Sequence, residues 1–281
     1  MNKLVAYGDA PENDKSVEFF CRTVAGRFLY TASLFLQIPK LMGLFLRTPF
    51  SVGMIPNFIK KNNIDMTGFE GRKFKSFNDF FTRQKQNIEF DNEPSHLIAP
   101  SDSFLSVYKI DKNSVFHIKG FDYTLEDFFN SSEFDQKYMD GDCLVFRLCA
   151  RDYHRYCFID SGFQEKNNFI RGTLYSVQPI ACENFRVYTK NRRSWTILHT
   201  ENFGDVAQIE IGAFSVGGIK NHYENTKFVK GQEKGYFDLH GSTIVLLFQK
   251  GTMNLLPEIA QITQYGKEFR VRYGQFIGTK L

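Results

Sequence analysis

The character of the chain changes at Leu97, and this change constrains the fold more than any other feature. Downstream of it, short runs rich in β-branched and aromatic residues recur at close spacing, separated by turn residues such as Asp140-Gly141-Asp142 and Ser161-Gly162. Thr124 and Asp127 also have the spacing of a capping box ahead of one short helix, at residues 125–129. The runs predict the strands of a mainly antiparallel β body, at residues 104–110, 114–118, 143–148, 155–159, 194–199, 206–211, 235–239, 242–248 and 268–274.

Helix signals are concentrated upstream of this change. Residues able to cap a helix precede apolar stretches at residues 17–36, 52–61 and 77–84. Asn13 or Asp14 can cap the first stretch, Ser51 the second and Ser76 the third. We therefore predict an α+β protein, with a helical N-terminal segment (residues 1–90) followed by a mainly antiparallel β-rich domain (residues 91–281).

The composition is that of a globular protein, with 42% hydrophobic and 23% charged residues. The net charge of +4 fits an anionic membrane surface, whereas the dense basic patches of nucleic-acid binders are missing, so no nucleic-acid partner is expected. The 5 cysteines lack CxxC spacing, which indicates free thiols in a reducing compartment and no metal site. The first residues lack the pattern of a signal peptide, so a cytoplasmic location is expected.

The apolar stretch at residues 28–50 raises the question of membrane contact. Pro39 and Lys40 interrupt it, and its longest uncharged run is shorter than the roughly 20 residues that span a bilayer. Two interpretations are open: a helical pair packed on the core, or an amphipathic element lying in the membrane interface. A lipid substrate would favour the second.

Three polar clusters contain candidate functional residues. Asp152-Tyr153-His154-Arg155 lies between two apolar runs, although a strand end with a solvated arginine and a hydrogen-bonded histidine is the plainer interpretation. His240-Gly241-Ser242-Thr243 opens an apolar run, where a tight turn would present the Ser242 hydroxyl to the preceding carbonyl; an ordinary turn is the alternative. Pro100-Ser101-Asp102-Ser103 has the composition of an Asx turn. None of the three alone predicts a reaction.

Together with further motifs, these clusters resemble those of the phosphatidylserine decarboxylase family. The motifs occur in the family's order across roughly residues 15–275. They are Phe80-Phe81-Thr82-Arg83, Pro100-Ser101-Asp102, Lys119-Gly120-Phe121-Asp122-Tyr123-Thr124-Leu125, Arg147 to Tyr156, Gly172 to Ala181, Asn202-Phe203-Gly204-Asp205, Ile211 to Ile219, Lys230 to Phe237 and Gly241-Ser242-Thr243. Two positions differ from the family pattern: Ser103 replaces a glycine, and Cys157 replaces a second histidine.

The resemblance implies a proenzyme that cuts itself between Gly241 and Ser242. Ser242 would become a pyruvoyl group, the covalent cofactor, at the start of an α chain (residues 242–281) that stays with a β chain (residues 1–241). The pyruvoyl ketone would form a Schiff base with phosphatidylserine and accept electrons as carbon dioxide leaves. The implied enzyme is thus a carboxy-lyase of phospholipid biosynthesis that produces phosphatidylethanolamine.

The resemblance also implies roles for single side chains. Asp102 takes the acid position of a charge relay that activates Ser242 for cleavage, and Cys157 stands at the position of the relay base. His154 is implicated in decarboxylation, as proton donor to the carbanion. Because a thiol with an ordinary pKa of about 8.5 is mostly protonated at neutral pH, His154 and His240 are alternative bases.

Two other functions stay open on the sequence alone. One is an unprocessed, catalytically impaired paralogue that acts as a lipid-binding or regulatory protein, and the other is a decarboxylase for a different phosphoserine lipid. The expected partner is an anionic phospholipid surface, which would place the protein peripherally on the cytoplasmic face of a membrane. The sequence leaves a homo-oligomer open.

Overall fold

The computed structural model describes residues 15–113, 115–118, 121–213, 218–239 and 242–281. The helices are α1 (Lys15–Arg22), α2 (Val24–Phe35), α3 (Ile38–Leu46), α4 (Ile55–Asn62), α5 (Phe77–Phe81), α6 (Leu125–Phe129), α7 (Asp135–Tyr138), α8 (Pro179–Asn184), α9 (Val187–Lys190) and α10 (Pro257–Gln264), with a 3₁₀ turn at Pro49–Met54. The strands are β1 (His96–Ile98), β2 (Ser103–Lys109), β3 (Val115–Ile118), β4 (Phe121–Thr124), β5 (Asp142–Leu148), β6 (Arg155–Cys157), β7 (Gly162–Gln164), β8 (Asn168–Ile170), β9 (Arg193–Thr200), β10 (Asp205–Gly212), β11 (Gly218–Asn221), β12 (Thr226–Phe228), β13 (Glu233–Asp238), β14 (Ser242–Phe248), β15 (Met253–Leu255), β16 (Phe269–Val271) and β17 (Phe276–Lys280).

A nine-stranded sheet forms the centre of the protein. Its strands follow the order β12-β7-β9-β10-β14-β5-β2-β16, and β8 pairs with β9 beside this path. A second sheet has the order β11-β13-β6, a third has the order β1-β17-β15, and β3 pairs with β4. The pairings of these strands are antiparallel. Helices that come early in the chain and antiparallel sheets that follow them confirm the predicted α+β class.

Several predicted elements are present almost as the local pattern gave them. Strand β14 spans Ser242–Phe248, as predicted, whereas β16 covers only Phe269–Val271 of the predicted run. The capping box is also present. Asp127 N donates to Thr124 Oγ1 over 3.1 Å, and Thr124 N donates to Asp127 Oδ2 over 3.1 Å. Residue 114, the predicted start of one strand, lies outside the described residues.

The prediction of a single helix at residues 17–36 is wrong. The chain forms two helices there, α1 and α2, because Thr23 has an extended backbone and caps α2. Its Oγ1 accepts a hydrogen bond from Gly26 N over 2.9 Å, which satisfies one of the free N–H groups of the first turn. A second break separates α2 from α3 at Gln37, whose φ of 55° is left-handed, and the two helices are bent by 63°.

The other two predicted helices are partly right. The predicted helix at residues 52–61 starts as the 3₁₀ turn and continues as α4. Ser51 does not cap it, since its hydroxyl donates to Leu46 O over 3.0 Å and accepts from Phe77 N over 2.8 Å. Ser76 caps α5 as predicted, but this helix ends at Phe81 rather than at residue 84.

Side chains of β14 alternate between the two faces of the central sheet. Ile244, Leu246 and Phe248 belong to one hydrophobic cluster, which also contains Cys157 and Phe237 of the second sheet. The second sheet therefore packs on the face that Ile244 occupies. Since Ser242 is two residues before Ile244, its side chain lies on this same face.

A further cluster, named here the helical cluster, joins the N-terminal helices to the β body. Its core is aromatic and aliphatic and is almost fully buried. Its buried members are Leu46, Ile55, Ile64, Phe77, Phe80, Phe81 and Leu239. Leu239 is the member from the β body, and it directly follows β13.

Candidate active site

Ser242 begins β14, in the middle of the central sheet. It pairs with Gly212 of β10 on one side and with Leu148 of β5 on the other. The residue is 1% exposed, and its Oγ has no hydrogen-bond partner among the described residues. Buried hydroxyls are normally paired, so one without a partner calls for an explanation. The predicted scissile bond itself lies outside the described residues, as do both His240 and Gly241.

His154 lies beside the segment that leads to Ser242. Its backbone O accepts a hydrogen bond from Phe237 N over 2.9 Å, next to the end of β13. The imidazole is buried, and its Nδ1 lies 2.9 Å from Asp152 O. Its ring centroid is 4.0 Å from that of Phe81, which belongs to the Phe-Phe-x-Arg motif. This motif thus supplies one wall for the predicted catalytic histidine.

Asp152 fixes the loop that carries His154. Its Oδ2 accepts a hydrogen bond from Cys149 N over 2.6 Å, and its Oδ1 accepts one from Arg270 Nη2 over 2.6 Å. Burial raises the pKa of the Asp152 carboxyl, and the Arg270 guanidinium opposes this shift by stabilising the charged form. Both carboxylate oxygens are therefore used in holding the backbone on the way to His154.

Arg155 is not the solvated arginine of the plainer interpretation. Its side chain is 13% exposed, and Nη1 donates to Glu233 Oε1 over 2.5 Å. Nη2 donates to Thr82 O over 2.8 Å, which ties the Phe-Phe-x-Arg motif to the cluster that contains the histidine. Two motifs that are separated in sequence therefore meet at this arginine.

Asp102 and Cys157 are brought together through Tyr273. Asp102 Oδ1 accepts a hydrogen bond from Tyr273 N over 2.9 Å, and the Tyr273 side chain is hydrogen-bonded to the Cys157 thiol. Cys157 N also donates to Pro100 O over 2.9 Å, in the turn that carries Asp102. Sequence reasoning missed Tyr273, because it lies outside all the motifs and no local pattern marks it.

The Cys157 thiol is a poor proton acceptor in this position. The residue is 0% exposed, and its Sγ lies 3.9 Å from Ala99 O. Burial raises the pKa of the thiol to about 12, although the hydrogen bond with Tyr273 acts in the opposite direction. The thiol is therefore protonated at neutral pH.

Ser103, which replaces the family glycine, fits without backbone strain. It is the first residue of β2, where its conformation is extended, and it is not among the described residues with positive φ. Its hydroxyl donates to Ser101 O over 3.2 Å. The turn around Asp102 thus forms without the glycine.

The site also includes two buried ion pairs that the motifs did not indicate. Arg147 is paired with Glu268, and Arg270 with Asp152. Both guanidinium groups lie over the ring of Phe104, at 5.2 Å and 5.0 Å from its centroid. Each pair joins a residue before Ser242 to a residue after it.

Comparison with known proteins identifies the family. Residues 77–279 match the family described as phosphatidylserine decarboxylase. The chain is 39% identical over 275 residues to phosphatidylserine decarboxylase proenzyme 2 of Clostridium acetobutylicum, covering 97% of this chain and 94% of that protein. It is 41% identical over 248 residues to the phosphatidylserine decarboxylase proenzyme of Clostridium kluyveri, covering 86% of this chain and 84% of that protein. The chain belongs to the phosphatidylserine decarboxylase family.

Proposed function

We propose that this protein converts phosphatidylserine to phosphatidylethanolamine and carbon dioxide, after cutting itself between Gly241 and Ser242. The observation that carries the proposal is the buried Ser242 Oγ, which has no hydrogen-bond partner among the described residues. It stands at the position where the family pattern has its reactive serine. The relatives are named proenzymes, which fits a chain that matures by processing.

In this proposal, self-cleavage uses the hydroxyl of Ser242 as the nucleophile. Oγ bonds to the carbonyl carbon of Gly241 while the Gly241–Ser242 C–N bond breaks and its nitrogen takes up a proton, giving an ester. Loss of the Ser242 Hα then expels the Gly241 carboxylate from Cβ and leaves dehydroalanine, which water converts to a pyruvoyl group and ammonia. When present, this group supplies the electron sink for the carbanion that remains after carbon dioxide leaves.

The fold around Ser242 suits a fixed prosthetic group. Ser242 lies in the sheet between its partners Gly212 and Leu148, so the new chain end would stay in place. Its side chain faces a cluster of buried apolar residues, which limits the access of water. A low-dielectric environment of this kind favours loss of a carboxylate, because the product carries less localised charge.

We assign proton transfer to His154 rather than to Cys157. The thiol, with a pKa of about 12, cannot accept a proton near neutral pH, whereas His154 adjoins β13, the strand that leads to Ser242. Asp152 O faces Nδ1 and orients the ring. The same imidazole would serve the carbanion in decarboxylation, and Asp102 would hold Tyr273 and Cys157 in the adjoining turn.

Intact-mass analysis tests this function directly. Wild-type protein should give a fragment of residues 1–241 and a pyruvoyl-led fragment of residues 242–281, and should release carbon dioxide from phosphatidylserine. Ser242→Ala should stay whole and inactive, while Ser106→Ala, also in a buried serine of the central sheet, should mature normally. A wild-type chain that stays whole during long incubation would contradict the proposal and favour the unprocessed lipid-binding alternative.

The N-terminal helices support a proposal of peripheral attachment to the cytoplasmic face of a membrane. Among the described residues, every helix is too short or too polar to cross a bilayer by itself. The bent pair α2–α3 together has the length and apolar composition of a broken membrane span. Large apolar side chains are exposed along this segment: Val24, Phe28, Leu29, Phe35, Leu36, Ile38, Leu41, Met42, Leu44, Phe45, Phe50 and Met54. A surface of this extent fits an element lying in the membrane interface.

Vesicle sedimentation tests this attachment. Leu36→Asp with Phe45→Asp should weaken binding to vesicles that contain phosphatidylglycerol, because both side chains are about half exposed on this surface or more. Phe169→Asp with Val229→Asp, on exposed apolar residues of the β body, is the matched control and should bind as wild type does. If both variants sedimented equally with the vesicles, the proposal that α2 and α3 lie in the membrane interface would be contradicted.

A further inference from the structure

Arg47 joins the helical segment to the strand that precedes Ser242. It follows α3 directly, and its Nη2 donates to Oδ2 of Asp238, the last residue of β13. The Asp238 side chain is 7% exposed and that of Arg47 is 40% exposed. The ion pair therefore reaches from the surface of the helical segment into the β body, four residues before the proposed nucleophile.

The strand opposite Asp238 makes room for this contact. Gly218 of β11 pairs with Asp238, and a Cβ on Gly218 would lie 2.7 Å from Asp238 Cβ and 3.2 Å from Oδ2. A side chain at residue 218 would therefore push the carboxylate away from Arg47. The close approach therefore favours glycine at this position.

Leu239, the next residue, packs against side chains of the helical segment. It is 1% exposed and lies in the helical cluster with Leu46 and Phe81. Its φ of 54° is left-handed, a conformation that is unfavourable for a leucine because Cβ approaches the carbonyl oxygen. Packing against the helices offsets this cost and holds the backbone in a conformation it would not adopt alone.

The chain between these contacts and the nucleophile is short. Leu239 and Ser242 are three residues apart, so their Cα atoms are separated by at most about 11 Å. One end is held by the helical cluster and the other by the strand pairs of β14. Fixing both ends of so short a connection restricts the directions from which Oγ can approach the preceding carbonyl.

We infer that Arg47, Asp238 and Leu239 form a clamp by which the N-terminal helices position the peptide before Ser242 for self-cleavage. The three act as positioning residues, since they hold the backbone rather than contact the reacting atoms. The inference rests on the proposed self-cleavage. It gives the N-terminal helices a role in positioning the cleaved peptide, in addition to any contact with lipid.

Cleavage kinetics of variant proenzymes test the clamp. Arg47→Met should slow cleavage about 10-fold or more, because misplacement by about 1 Å can cost up to 10²-fold. Asp238→Asn, which keeps the size of the side chain, should slow it similarly, and Arg47→Lys, which keeps the positive charge, should recover most of the rate. Arg22→Met removes the exposed Arg22–Glu18 ion pair of α1 and should cleave at the wild-type rate.

Thermal unfolding of the same variants in a Ser242→Ala background separates positioning from loss of folding. The Arg47 and Asp238 variants should unfold within a few degrees of the parent. Leu239→Ala is a second test that changes no charge, and it should also slow cleavage. If Arg47→Met and Asp238→Asn cleaved as fast as the wild type, the clamp would be overturned. It would also be overturned if Arg47→Lys cleaved as slowly as Arg47→Met. Absence of cleavage in the wild type would instead overturn the proposed function.

Discussion

Replacing Cys157 by alanine should leave self-cleavage nearly unchanged, whereas replacing His154 by alanine should almost stop it. The Cys157 thiol is fully buried, and its pKa is raised to about 12. At pH 7.5 roughly 3 in 10⁵ such thiols are ionised, so almost none could accept a proton. We expect a change within about 3-fold for Cys157→Ala and a loss of about 10²- to 10⁴-fold for His154→Ala.

The assay follows cleavage of newly made proenzyme. Samples from a cell-free synthesis are stopped at intervals, and the fraction of chain cut at Gly241–Ser242 is measured on denaturing gels. His199→Ala removes an exposed imidazole at the far end of β9 and should cleave like the wild type. The Cys157→Ala and His154→Ala substitutions are repeated on Ser242→Ala, where unfolding by urea shows whether the variant is folded.

The pH dependence separates the two bases further. If Cys157 were the base, the cleavage rate would rise about tenfold per pH unit from neutral pH toward the thiol pKa of about 12. With His154 as the base, the rate should not follow ionisation of the thiol and should lack this tenfold rise per pH unit. Arrested cleavage in Cys157→Ala, or a tenfold rise per unit between pH 8 and 11, would refute the assignment to His154.

A second substitution at residue 157 tests whether this residue occupies the base position of the charge relay. Cys157→His should place an imidazole against Tyr273 and beside the turn of Asp102, and cleavage should accelerate by roughly 10²-fold. The larger ring has to fit where a thiol is fully buried, so the unfolding free energy of the Ser242→Ala background is measured alongside. A folded Cys157→His variant that cleaves no faster than the wild type would contradict the relay position.

Two further predictions concern stability and are measured on the uncleaved Ser242→Ala protein. Glu268→Gln should lower the free energy of unfolding by about 3–5 kcal/mol, since it leaves Arg147 as a buried charge without its partner; a loss below about 1 kcal/mol would contradict this. For His199, burial lowers the pKa, but hydrogen bonds with Asp205 and Glu165 raise it by more. This stabilisation should be complete below the ordinary histidine pKa of about 6.5 and be lost as pH rises through the raised value, so His199→Gln should remove that loss.

Elements set by local patterns were predictable from the sequence. Thr124 and Asp127 are three residues apart, and their capping box forms as predicted. The break at Thr23 was not predictable with equal ease, because a threonine inside an apolar helix-compatible stretch is compatible with both a cap and a helix interior. In the site, the hydrogen bond between Tyr273 and Asp102 joins residues 171 positions apart, and the Arg47–Asp238 pair spans 191 positions. No periodicity or motif indicates contacts that depend on the folded arrangement of distant strands.

The position of Ser242 explains how the proposed cut could be made while residue 242 is still held in place. Residues 242–281 supply β14, which is paired on both edges by strands of the earlier residues, and β16 and β17 also pair with strands β2 and β1. The buried pairs Arg147–Glu268 and Arg270–Asp152 cross the same boundary. Separating the two fragments would break the central sheet and expose these charges, so the proposed cut would create two chain ends without releasing either chain. A reactive serine at the edge of the sheet would lack pairing on one side, and the group formed from it would be less firmly held.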